Sequence, residues 1–122
     1  MLDPRLGLAS GLVVFVGAGH SYIGERRFLP RLFQDGPTTP RHAASASARA
    51  IVRFVWHLVT VCLWGMAALI VVLGGGDARA GLRVLAATII ACAAVTAVGS
   101  RGRHPAWGVF VLAATALWLG TP

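Results

Sequence analysis

The sequence predicts an all-α protein, an integral membrane four-helix bundle with both termini on the non-cytoplasmic side. Three observations lead there. Hydrophobic residues make up 57% of the 122 residues and charged residues only 12%, against about 25% charged in soluble domains. The apolar residues gather in four long runs, and a chain so poor in polar groups has nothing with which to cover a soluble surface; a bilayer removes that requirement. The basic residues, all of them arginine, sit mainly in the connections between the runs. The whole length makes one transmembrane domain.

The first predicted helix covers residues 6–23. Asp3 is wrong for the basic start of a signal peptide and no clean A-x-A site precedes Ser21, so this run is expected to be a retained helix. The second covers residues 51–73 and the third residues 82–98. These runs lie near or within the ~17–25 residues that cross a hydrocarbon core of ~30 Å. The fourth, residues 106–119, is short, and a thinned bilayer or a partner protein would have to accommodate it. Between the first two helices, residues 25–49 read as a cytoplasmic loop. Its first part mixes arginine with Phe and Leu, as an interfacial stretch broken at Pro30 would; its second part is rich in Gly, Pro, Ser and Ala and should be flexible. Gly74-Gly75-Gly76-Asp77 forms a tight turn, and Pro105 suits the start of the last helix.

Counting arginines near the helix ends sets the orientation. Arg26, Arg27, Arg31, Arg41, Arg49, Arg53, Arg101 and Arg103 fall on one side, and Arg5, Arg79 and Arg83 on the other. Eight against three places the first side in the cytoplasm, which in a bacterium means a multi-pass protein of the inner membrane. The same topology accounts for the net charge of +7 without a nucleic-acid partner.

Lipid gives helices no hydrophobic reason to associate, so small residues must supply close contact. Gly7 and Gly11, then Gly17 and Gly24, are the candidates on the first helix; Thr88, Cys92, Thr96 and Ser100, each four apart, line one face of the third. That face reads as a packing seam. A polar pathway is the lesser reading, because no acid accompanies it in mid-membrane. Trp56, Trp107 and Trp118 suit interfacial anchoring, which does not account for Trp64 in mid-helix. Cys62 and Cys92 read as small buried thiols.

The chemistry-bearing residues collect at the arginine-rich end: His20 and Glu25 at the close of the first helix, His57 one turn inside the second, His104 before the fourth. The leading reading is a polar clasp in which Glu25 pairs with Arg26, Arg27, Arg53 or Arg101 and locks the helix ends. A second reading makes His20, His57, His104 and Glu25 ligands of a single transition metal, or His20 and His57 the axial ligands of haem b, with Gly17 and Gly24 leaving bare backbone for a macrocycle and Ser21 and Thr60 as supporting hydrogen-bond partners. The spacing of five between His20 and Glu25 argues against a shared helix face. Four carboxylates in the whole chain and the absence of GxSxG, P-loop and HExxH patterns leave no conventional catalytic motif.

The run His20-Ser21-Tyr22-Ile23-Gly24-Glu25, the Trp56-His57 pair and the turn Arg101-Gly102-Arg103-His104-Pro105 together resemble a group of small, uncharacterised bacterial four-helix inner-membrane proteins with an HSxxGE segment, a WH pair and a basic turn before the last helix. The resemblance implies the architecture and no activity. The functional expectation is therefore a structural or accessory subunit packed against a larger membrane complex, with a His-liganded redox or metal protein second and a small transporter or lipid-interacting protein third. The lipid bilayer and other membrane subunits are the expected partners, the basic loop and Arg26, Arg27 and Arg53 meeting anionic headgroups.

Overall fold

The computed structural model describes residues 4–33 and 46–120, and all of the regular structure in them is helical. Helix α1 runs over Pro4–Ile23, passes through a π-helical turn at Gly24–Phe28 and ends in a short α2 at Leu29–Leu32. Helix α3 spans Ala46–Gly74, α4 Ala78–Gly99 and α5 Ala106–Leu119. Three of these, the α1–α2 unit, α3 and α4, are long and apolar enough to cross a membrane, whereas α5 is apolar but shorter.

The helical start of the first connection differs from its expected loop. The chain does not break at Pro30, because the π turn comes first: Leu29 N–H reaches back to Gly24 C=O. A proline ring in a regular helix collides with the carbonyl four residues earlier, here that of Arg26. The wider π turn displaces that carbonyl, and helix continues to Leu32. At the far end of the connection α3 begins at Ala46, five residues before the apolar run starting at residue 51. The alanine-rich stretch there costs little to wind. The remainder of the expected flexible loop, residues 34–45, lies outside the described residues.

Two turns set the helix directions. After α3, Gly76 adopts φ 82°, and the Asp77 side chain accepts a hydrogen bond from Ala80 N–H at 2.8 Å to cap α4. At the other end of α4, Gly102 N–H bonds Ala97 C=O at 2.7 Å and Arg101 N–H bonds Val98 C=O at 3.1 Å. These are the two bonds of a Schellman cap. Arg101, with φ 52°, occupies the left-handed position usually given to glycine.

Packing follows chain order. Helix α1 lies on α3, α3 on α4 and α4 on α5, with no extensive contact joining α1 to α4 or α5. The helices thus form an open row and not a ring around a shared centre. Along the α1–α3 seam the buried α1 positions are Ser10, Gly17 and Gly24, seven apart. Ser10 Oγ donates to Ala67 C=O at 2.9 Å, Trp64 Nε1 to Val14 C=O at 3.3 Å and Trp56 Nε1 to His20 C=O at 3.0 Å. Each indole lies against a glycine, Trp64 on Gly17 and Trp56 on Gly24. Trp64 thereby finds its reason, and Trp56 is part of the seam more than an interfacial anchor. Between α3 and α4, Gly65 receives Thr88 and Gly99 receives Phe54, while Cys62 Sγ and Cys92 Sγ meet at 3.9 Å. Ala86, Ala93 and Ala114, all buried, let α5 approach α4.

Candidate functional site

At the arginine-rich end, α1 and α3 cross with two pairs of residues spaced by four. Ser21 and Glu25 stand on the first helix, Arg53 and His57 on the second. Spacing of four puts each pair on one helix face, and the antiparallel crossing interleaves them. Glu25 Oε1 receives Arg53 Nε at 3.0 Å and His57 Nε2 at 2.9 Å. His57 Nδ1 lies 2.9 Å from Ser21 Oγ, and Ser21 Oγ lies 2.8 Å from Thr60 Oγ1. One assignment satisfies every member: Thr60 donates to Ser21, Ser21 donates to Nδ1 of a neutral imidazole, and Nε2–H donates to the carboxylate. The Glu25 and His57 side chains are 34% and 33% exposed, so the charged end of the chain faces water or headgroups while Thr60, in α3, is buried.

Serine, histidine and glutamate in hydrogen-bonded series have the composition of a nucleophile, base and orienting acid. The surroundings do not complete that chemistry. Ser21 lies within a continuous helix, where backbone N–H groups are already used in helix bonds and none is left to stabilise an oxyanion. The adjacent groove is lined by His57 and Arg53 but not by Ser21. The array instead joins two helices through five side chains in hydrogen-bonded series.

His20 faces a different neighbour. Its imidazole stacks on the Trp56 indole, with ring centroids 4.3 Å apart and planes 6° from parallel; Phe28 stacks on the same indole at 4.8 Å. His20 Nε2 is buried without a hydrogen-bond partner. His104 makes an edge contact with Phe54, centroids 6.1 Å apart, and its Nδ1 accepts from Ala106 N–H at 3.3 Å at the start of α5.

Of the four candidate ligands at this end of the row, His57 and Glu25 meet, while His20 and His104 stand against other neighbours. His57 has both ring nitrogens engaged, one face of His20 is covered by an indole, and His104 is turned into its own loop. No group of three or more His, Cys, Asp or Glu side chains able to hold a metal ion occurs among the described residues. A haem iron or a transition metal held by His57 would have to replace a hydrogen bond that its ring nitrogens make to Glu25 or Ser21. The clasp partners among the arginines are also sorted: Arg53 takes Glu25, whereas Arg26 lies over the Tyr22 ring at 5.8 Å and Arg27 is exposed. Gly17 and Gly24 are buried in the α1–α3 seam, while Gly7 and Gly11 are exposed, with open space beside Gly11.

Ser21 and Thr60, expected only as supporting partners of a ligand set, are members of the series itself. Spacing by four from Glu25 is the signal in the sequence that marks Ser21, and spacing by three from His57 the one that marks Thr60. Phe28 had no such signal, since its place beside Trp56 depends on the π turn. Comparison with known family models, curated proteins and solved structures finds no match.

Proposed function

We propose that this chain is a multi-pass protein of the bacterial inner membrane, with both termini on the non-cytoplasmic side, that serves as a structural accessory subunit beside a larger membrane complex. The observation that carries the reading is the open row. Among the described residues, helices whose extensive contacts are with their chain neighbours leave two broad apolar faces, and large side chains such as Leu12, Phe15, Val16, Val109 and Leu112 stand exposed on them. Lipid can cover such faces, but the exposed Gly7 and Gly11 on α1 leave room for a further helix to approach closely. The clasp suits the same role: it ties α1 to α3 at one end of the row. The arginines at that end, Arg26, Arg27, Arg31, Arg49, Arg53, Arg101 and Arg103, against Arg5, Arg79 and Arg83 at the other, support the proposed sidedness.

Two results are expected. Reporter fusions at either terminus give a periplasmic signal, and a fusion in the Arg101–Arg103 turn a cytoplasmic one; the reverse pattern overturns the orientation. Solubilised gently from native membranes, the protein migrates in a larger complex, and bulky substitution of Gly11, for example Gly11→Leu, releases it as a folded single chain. Recovery of the wild-type protein solely as a monomer overturns the accessory role.

A further inference from the structure

An apolar groove with a cationic rim lies between the first half of α3 and the last turns of α4. Its volume is about 870 Å³, within the ~300–1,000 Å³ of small-molecule sites. Ala94, Val95 and Val98 of α4 form one wall, and Arg49 and Arg53 stand on the α3 side. A second hollow of about 390 Å³ adjoins it across Ala50 and Gly99 and carries Arg101, Arg103 and His104. Among the described residues, no Asp or Glu lines either hollow. The nearby carboxylate, Glu25, engages Nε of Arg53. Arg49 and Arg53 thus line one hollow and Arg101 and Arg103 the other, with Ala46, Ala50 and Gly99 shared between them.

The order of these groups along the helices identifies the occupant. The guanidiniums sit at the end of the row, where the apolar runs stop, and the wall of Ala94, Val95 and Val98 lies one to two turns deeper into α4. A free phosphate would use the rim and leave the wall uncovered. An amphiphile with an anionic head and hydrocarbon tail matches both at their own depths. Arginine binds a phosphodiester with paired, planar donors. Arg101 adds a separate indication: it holds a left-handed backbone conformation, φ 52°, that glycine would adopt with less strain, yet the position carries an arginine that lines the adjoining hollow.

We infer that the groove between α3 and α4 is a seat for one anionic phospholipid, its phosphate held by Arg49, Arg53, Arg101 and Arg103 and an acyl chain lying along Ala94, Val95 and Val98. The inference rests on the helices crossing a bilayer, and it is independent of the accessory role.

The test uses the full chain, delipidated in detergent and titrated with palmitoyl-oleoyl phosphatidylglycerol or with the phosphatidylcholine of the same chains, read by native mass spectrometry. The wild-type protein retains one phosphatidylglycerol in preference to phosphatidylcholine. Arg101→Gly and Arg103→Gln each weaken that binding about fivefold, while Arg31→Gln, which removes the same charge from the same end away from the groove, changes it less than about twofold. Arg101→Gly leaves thermal stability unchanged or raised, so its loss of binding is not a loss of fold. Ala94→Trp keeps every charge, fills the groove and removes the retained lipid; circular dichroism checks that it folds. Equal effects from Arg31→Gln and Arg103→Gln, equal retention of the two lipids, or indifference to Ala94→Trp each overturn the seat. So does retention that emerges only after residues 34–45 are replaced by a Gly/Ser chain, since the connection itself would then be the occupant. Integral behaviour in carbonate extraction separates failure of the seat from failure of the membrane reading.

Discussion

Gly24→Ala is expected to destabilise the folded protein by about 1–3 kcal/mol, the usual penalty for overpacking a filled site. A methyl group on Gly24 would overlap the Trp56 indole at Nε1, Cε2 and Cδ1. An exposed tryptophan would swing aside. Trp56 cannot do so cheaply, because His20 and Phe28 both stack on it and its N–H is committed to His20 C=O. Moving the indole would also loosen the neighbouring His57, and with it the link to Glu25. Gly11→Ala is the matched comparison: nothing lies within 4 Å of the added carbon, and the substitution should be neutral or gain up to about 1 kcal/mol in helix propensity. Gly24→Ala therefore lowers the unfolding midpoint and Gly11→Ala does not, measured in mixed micelles with increasing dodecyl sulfate by tryptophan fluorescence. Equal midpoints for both variants would show that the α1–α3 seam does not bring the indole onto Gly24.

That seam shows what the sequence carried and where it fell short. Apolar length and charge were sufficient to mark the helices, since both act locally along the chain. Gly17 and Gly24 stand out in the sequence as small residues where two helices can approach, but Gly7 and Gly11 look equivalent to them. The difference lies in which α1 face meets α3, and that is set by the bulky partners Trp56 and Trp64 on the other helix. Four connected apolar helices predict a bundle and leave open whether it closes on itself. Short turns at Gly74–Asp77 and Ser100–Pro105 make neighbours antiparallel, yet they say nothing of whether the first helix returns to the last. In lipid no hydrophobic term enforces closure. The polar end was partly legible for the same reason. Glu25 among arginines predicts an ion pair, and spacing by four predicts which residues share a face. The rotation of His20 toward Trp56, which separates it from His57, depends on a contact between helices that no local rule encodes.

Glu25→Ala is the second substitution with a large expected effect, and it separates a structural clasp from a row of solvated charges. Removing the carboxylate leaves His57 Nε2 and Arg53 Nε without their acceptor at once. Hydrogen bonds to charged groups contribute about 1.5–3 kcal/mol when well shielded. The side chain of Arg53 is 56% exposed, which reduces its share to the ~0–1 kcal/mol of surface ion pairs. The His57 bond, continued through Ser21 and Thr60 toward the buried side of the seam, should carry more. The expected loss for Glu25→Ala is then about 1–3 kcal/mol. A double-mutant cycle makes the division measurable. Combining Glu25→Ala with His57→Ala should give a coupling of about 1 kcal/mol or more, inside the ~0.5–3 kcal/mol seen for contacting residues, and combining it with Arg53→Gln a smaller one. Thr60→Val, which removes the far hydroxyl while keeping its volume, should lower the Glu25–His57 coupling, because Ser21 then loses one of the two groups that orient it toward the imidazole. Couplings near zero for both pairs would mean that Glu25 is simply hydrated at the membrane surface and that the helices are held by the tryptophan seam alone.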